Sequence, residues 1–420
     1  MKKYKAGALY YAIFISFFIA VVSGFMLLQH WYQHYYTLYV EQGERLDRNI
    51  KSALLVALQS PEKFLAGDTT KFDIYGDSVD WVDVSKRSWG GYQILKIESK
   101  WRVLHRSQIE LVGSEFLPED VIALYLSDEG KYLSLAGKSE ITGNCFLPKL
   151  GVRKAYIEGT GFSGNKLIEG EIKNSKESLP SVDPKLIEHN RLIDQAKVAD
   201  TDSVVEIENL TRSDSLKNSF YNKTVKINSP LWITLESKVI SGNIKIISAT
   251  GISVKRSAVL SDVILYAPKI EIEEGFSGSL QCFVTDTLIA GEGCIFKYPT
   301  LLAINETKIG KPMVMIGENS VVLGDIVVLA KSDQQNISAE CSIGSHTVVN
   351  GSVYCAGKVN LKGTIKGQLF CKGFILRTNS SVYENHLLYA TVNSSLLSPH
   401  YAGSLYIPSA KPLKTIKCLQ

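Results

Sequence analysis

Charge of one sign is what this 420-residue chain lacks most plainly: 46 Lys and Arg stand against 42 Asp and Glu. Three of the four net positive charges, Lys2, Lys3 and Lys5, precede the first apolar run, so the remainder is close to neutral. A neutral body has no basic face to hold nucleic acid by counterion release. Cysteine is scarce, seven in all, which excludes a disulfide-built scaffold. No Cys-x-x-Cys pair occurs, and Cys145, Cys294, Cys341 and Cys418 lack zinc spacing. His-Glu-x-x-His, Gly-x-Ser-x-Gly and Walker signatures are missing. The histidines His30, His34, His105, His189, His346, His386 and His400 are scattered. His30 and His34 stand one helical turn apart, where polar anchoring at a membrane surface fits the neighbouring aromatics better than metal binding. No catalytic, cofactor-binding or metal-ligating residue is assigned, and a non-enzyme is expected.

What the chain does have is a long apolar run. Ala8 to Leu28 is 21 residues without a charge, about 31 Å as a helix, the thickness of one hydrocarbon core. Trp31, Tyr32, Tyr35, Tyr36 and Tyr39 cluster at its far end, as amphipathic rings do at headgroup level. The basic leader 1–7 places the amino end in the cytoplasm. The expected location is the bacterial inner membrane, crossed once through 8–28, with the bulk of the chain outside the cytoplasm. A cleaved signal peptide competes, but its apolar region is usually about 7–15 residues. Beyond the membrane, Leu46, Ile50, Leu54 and Leu58 recur every fourth residue, the stripe of an amphipathic helix over 29–60 that Pro61 ends. Gly43 is its weakest point.

This beginning resembles the type IV pilin and pseudopilin class: a short basic leader, Gly7 followed by Ala8, an apolar run, then an amphipathic continuation. The resemblance implies cleavage after Gly7 by a prepilin peptidase. The class usually carries Glu five residues beyond the cut, where this chain has Ala12.

Residues 61–135 read as a small antiparallel β domain, with Gly90-Gly91 a turn and Tyr125–Leu135 a hairpin turning at Asp128–Lys131. Residues 136–169 begin a second architecture, which 226–400 continues. Between them 170–225 reads as a polar insertion with one helix, capped by Asp183 before Pro184 and carrying Leu186, Ile187, Leu192 and Ile193. Residues 401–420 are left as a tail.

The second architecture is a nine-residue repeat: ITGNCFLPK (141–149), ISGNIKIIS (240–248), VLSDVILYA (259–267), FSGSLQCFV (276–284), VLGDIVVLA (322–330), VNGSVYCAG (349–357) and IKGQLFCKG (365–373). Apolar residues fall at positions 1, 5 and 7, the two-residue period of a strand with one buried face. Position 3 is Gly in six copies and Ser261 in the other, which suits a corner. Copies at 240 and 259, 259 and 276, and 349 and 365 stand 19, 17 and 16 residues apart, the coil length of a parallel β-helix. A β-sandwich with coincidental spacing is the alternative. The stretch 348–374 resembles the bactofilin class of β-helical proteins, and the whole chain is similar to single-pass envelope proteins of the Bacteroidota. Neither resemblance implies a reaction. The fold class expected is mainly β, with a transmembrane α-helix, a small antiparallel domain and a parallel β-helix carrying a helical insertion.

Cys282, Cys355 and Cys371 share position 7 and read as buried thiols acting as small hydrophobes. Cys355 and Cys371 would face each other on adjacent strands, within disulfide reach. Asp262, Asp325 and Ser352 share position 4 and should point to solvent. The expected function is a membrane-anchored structural or assembly scaffold with protein partners in the envelope. A minor pilin-like subunit and a β-helical carbohydrate-active enzyme are the alternatives.

Overall fold

The computed structural model describes residues 7–76, 78–117, 121–184, 186–188, 190, 203–205, 214–305, 311–330, 339–407 and 412–419. The leader up to residue 6, with its three lysines, lies outside them, as do His189, Leu192 and Ile193.

One helix, α1 (Gly7–Gln59), spans 53 residues, about 80 Å. It is long and apolar enough to cross a membrane. No proline interrupts it, and it runs unbroken through Gly24 and Gly43. Pro61 stops it by disfavouring helical backbone at Ser60, which sits at φ −131° and ψ 61°. From residue 7 to Glu41 every side is exposed except at the half-buried Val22. Beyond that point Gly43, Leu46, Asn49, Ile50, Ala53 and Ala57 are buried. The contact seam starts as the expected stripe and then swings from Leu54 and Leu58 to two alanines, whose small side chains let the helix lie close to the sheet beneath.

That sheet is antiparallel and runs in chain order: β1 (Thr69–Asp73), β2 (Trp81–Trp89), β3 (Tyr92–Trp101) and β4 (Leu104–Glu115). Gly90 and Gly91 form the two-residue turn between β2 and β3, with Gly90 at φ +61°. Strand alternation sends Val82, Val84, Leu95, Ile97 and Val112 to the helix side. Trp89, Tyr92, Ile94, Ile109 and Leu111 go to the other. Arg45 of α1 donates two hydrogen bonds to Asp80, at 2.8 and 2.6 Å, and Asn49 adds a third at 2.8 Å. This latch fixes the helix to the sheet.

The antiparallel unit does not extend to residue 135. β5 (Ile122–Leu126) pairs in parallel with Thr364–Arg377 and Asn144–Leu147. Leu133–Ala136 pairs with His386–Leu388 and Val152–Lys154. The hairpin expected over Tyr125–Leu135 is therefore absent, because Ala123, Leu124, Tyr125 and Leu126 are all buried and need cover on both faces. The expected tail is also structural: Ala402–Gly403 and Leu413–Cys418 both pair antiparallel with β4.

Most of the remaining strands form a closed sheet built mainly of parallel ladders. Val348–Leu361 and Thr364–Arg377 are representative: Val349 faces Ile365, Val353 faces Leu369, and Cys355 faces Cys371. Three position-3 glycines stack on one another within the parallel strands. Gly324, Gly351 and Gly367 have φ of +148°, +152° and +157°. A Cβ on Gly367 would stand 1.9 Å from the carbonyl oxygen of Gly351, and one on Gly351 2.1 Å from that of Gly324. Only glycine fits such a stack.

Ladder order departs from chain order. The first parallel strands in the chain, 122–126 and 144–147, stack beyond the last long one, 364–377, and Ile172–Asn174 closes that end. Ser203–Val205 then begins the opposite end. The described residues of 175–190 run back along the stack from the end that Ile172–Asn174 closes. Tyr125 donates to the Ser178 carbonyl at 3.2 Å and Tyr354 to that of Pro180 at 3.0 Å. Asn190 meets Tyr406 at 2.9 Å and Tyr266 at 3.3 Å. Of the segment the sequence suggested was an insertion, the described residues of 175–190 form a strap along the outer face of the sheet; Pro184, Leu186 to Glu188 and Asn190 in it have helical backbone.

Candidate functional site

Where the parallel sheet faces the antiparallel one, both its faces are covered, and there its strands are apolar at consecutive positions. One face lines the inner core. On the other, ladder pairing aligns Ile247, Tyr266, Phe283, Ala303, Val327, Tyr354, Phe370, Tyr125 and Phe146 in one row. Tyr266 and Phe283 stack at 4.9 Å, and Tyr125 and Phe146 at 5.4 Å, favourable beyond area burial. This row, the antiparallel sheet and Val182 and Leu186 of the strap form one cluster.

Asp325 lies in that contact and is fully buried, 0% exposed, which overturns the expectation that position 4 faces solvent. Its carboxylate accepts from the Ser352 N–H at 2.8 Å, the Ser404 N–H at 2.5 Å and the Tyr401 hydroxyl. Burial pushes the Asp325 carboxyl above its ordinary value against the pull of these donors. Burial, with the Asp325 charge adding, also pushes the Tyr401 phenol well up. Ser352 is likewise 0% exposed. The antiparallel unit and the 401–407 segment cover this row, which period-two reading assigned to water. Asp262 is different: it sits at a bulge with φ +62° and pairs with Lys417. The two aspartates are not brought together.

The thiols are buried at Cys145, Cys282, Cys294, Cys341, Cys355 and Cys371; all seven cysteines are free and Cys418 is exposed. Burial drives the thiols upward, Cys145 and Cys355 to about 12, so the thiolate is suppressed. Cys355 and Cys371 face each other in register but are unbonded. Cys282 is not in their row. Two extra residues between Phe296 and Leu301 shift the ladder, so Cys282 aligns with Leu302, Ile326 and Val353. The shift is even, so the side chain still points inward.

His30 and His34 are exposed on α1. His346, with φ +59°, lines an open polar cleft of about 570 Å³ with Lys362, Arg377 and Tyr389. Arg377 is committed there to Glu340. Among the described residues no group of three His, Cys, Asp or Glu could hold a metal ion. Reasoning from sequence missed Asp325 as an anchor and the outer aromatic row. The signal for both was available: in Asp325-Ile-Val-Val-Leu329, Leu265-Tyr-Ala267 and Leu369-Phe-Cys371 the residues between inward positions are apolar too.

Comparison with protein-family models, with curated proteins and with solved structures finds no match for this chain.

Proposed function

We propose that this chain is a non-catalytic, membrane-anchored envelope protein whose body serves as a rigid assembly scaffold. In this reading residues 8–28 cross the inner membrane once, the lysine-bearing end stays in the cytoplasm, and the body stands outside it. The closed parallel sheet is read as a parallel β-helix, supported by partner offsets of 16 residues between Val349 and Ile365 and 19 between Ile227 and Ile246. The observation that carries the proposal is the division of α1: no residue of its apolar membrane-length window is buried, while its last turns are latched to the body through Arg45, Asn49 and Asp80. Helix, antiparallel sheet and parallel sheet are packed layer on layer, so force on the anchor is carried into the whole body. Alkaline extraction of membranes tests it. The full chain should stay with the lipid and a chain starting at Gln29 should not; release of both would refute the anchor.

A minor pilin-like subunit is a second reading. It is favoured by the continuity of α1, its longer first part free and its last turns docked on an antiparallel sheet. Amino-terminal sequencing separates the two, since this reading requires a mature chain beginning at Ala8.

A further inference from the structure

The anchor is longer than a membrane needs. The apolar run ends at Leu28, yet the first buried residue of α1 is Gly43, so about 22 Å of bare helix separates hydrocarbon from body. The headgroup layer accounts for only about 6 Å of it. Along this stalk Trp31, Tyr32, Tyr35, Tyr36 and Tyr39 are 63%, 64%, 50%, 61% and 40% exposed. At about 100° per residue they fall within an arc of about 140°. Gln33, Thr37, His34 and Glu41 take the opposite side. Trp31 and Tyr35 stack on one another at 5.8 Å and 17°, which makes the face a continuous aromatic surface.

A headgroup layer surrounds an upright helix on every side and would not select one face. A one-sided stripe calls for a one-sided neighbour. Phe25, Leu28, Tyr32, Tyr35 and Tyr39 follow spacings of three and four in alternation, the a and d pattern of a two-helix seam, with Trp31 and Tyr36 flanking. From these observations we infer that the stalk is a homodimerisation element, its aromatic stripe packing in parallel against that of a second copy. This rests on the membrane anchoring proposed above. Three features select a second copy as the occupant. Identical anchors hold identical stripes at the same height. No charged residue lies between Gly7 and Val40, so a parallel two-fold pairing brings no like charges together. The uncovered rings with Leu28 offer on the order of 600 Å² per copy, hence roughly 1,200 Å² for the pair, the lower edge of specific interfaces.

Cysteine cross-linking of the full chain in its own membrane tests this, with Cys418, the exposed thiol, replaced by Ser. Under a mild oxidant Tyr35→Cys should give a species of twice the chain mass, at least tenfold more than Thr37→Cys on the opposite side. Without any added cysteine, Trp31→Ala with Tyr39→Ala should lower the dimer fraction in detergent at least tenfold; neither side chain is buried in the body, so its thermal unfolding should change little. Equal cross-linking at residues 35 and 37, or none at 35 while alkaline extraction leaves the chain in the membrane, overturns the homodimer. So does a cross-linked species of any other mass, which would identify a different partner helix. Release by alkaline extraction would bring down the anchoring and this inference together.

Discussion

Removing the Asp325 carboxylate should unfasten the carboxyl-terminal segment from the parallel sheet. Asp325→Ala leaves the Ser352 and Ser404 N–H groups and the Tyr401 hydroxyl without their acceptor in a place where the side chain is 0% exposed. An orphaned buried donor costs about 1–3 kcal/mol. Losing the desolvated charge offsets part of that, so a net loss of about 3–5 kcal/mol follows, a large share of a margin of about 5–15 kcal/mol. Tyr401→Phe removes one of the three donors. It should cost about 1 kcal/mol in the native background but recover about 1 kcal/mol or more after Asp325→Ala, because the hydroxyl it removes then has no acceptor, giving a clear coupling energy. Urea unfolding of the four variants measures this cycle, and limited proteolysis of the 398–419 region reports where the damage begins. Additive effects of the two substitutions, or a loss below about 1 kcal/mol for Asp325→Ala, would refute Asp325 as the anchor of this segment.

Further outcomes follow from burial and charge. A bulky maleimide should label Cys418 alone before denaturation and all seven thiols afterwards; rapid native labelling of Cys282, Cys355 or Cys371 would mean that their rows do not face the core. Val353→Asp and Ser352→Asp should both destabilise by several kcal/mol, since both positions are 0% exposed and a buried carboxylate without a partner is costly. Lys372→Asp, on the exposed side of the next strand, should change the unfolding midpoint little. The Arg45 hydrogen bonds hold the Asp80 carboxyl below its ordinary value of 3.8, so the latch contributes fully above that pH and fades as pH falls through it. Unfolding midpoints across pH 2–6 should lose part of their acid limb in Asp80→Asn, and an unchanged acid limb would exclude the latch.

The apolar helix and the repeat were legible because each is a local pattern. Twenty-one residues without charge and a glycine recurring at one place in a two-residue period need no tertiary knowledge to read. Positions 5 and 7 point inward in every copy, and the shift at 296–301 is even and preserves parity; position 1 fails at the odd shift beside Asp262, where Val259 is 53% exposed and Leu260 pairs with Ile240 instead. Reading failed where a second layer intervenes. Asp325 and Ser352 alternate with inward residues and were therefore assigned to water, but the sheet made by β1 to β4 covers that face. The Tyr125–Leu135 hairpin failed for a related reason: Asp128–Lys131 has good turn chemistry, while each flanking strand pairs in parallel with one segment further along the chain, Asn144–Phe146 or Val152–Lys154, and with one more than 200 residues away, Leu369–Cys371 or His386–Leu388. No local signal reports that the first parallel strands stack on the last.

The most direct test of an anchored body outside the cytoplasm is a topology reporter fused to the carboxyl end of the full chain. An enzyme that folds and works only outside the cytoplasm should be active there, and one active only in the cytoplasm should be silent. The reverse pattern would place the body on the cytoplasmic side and contradict the scaffold proposed here.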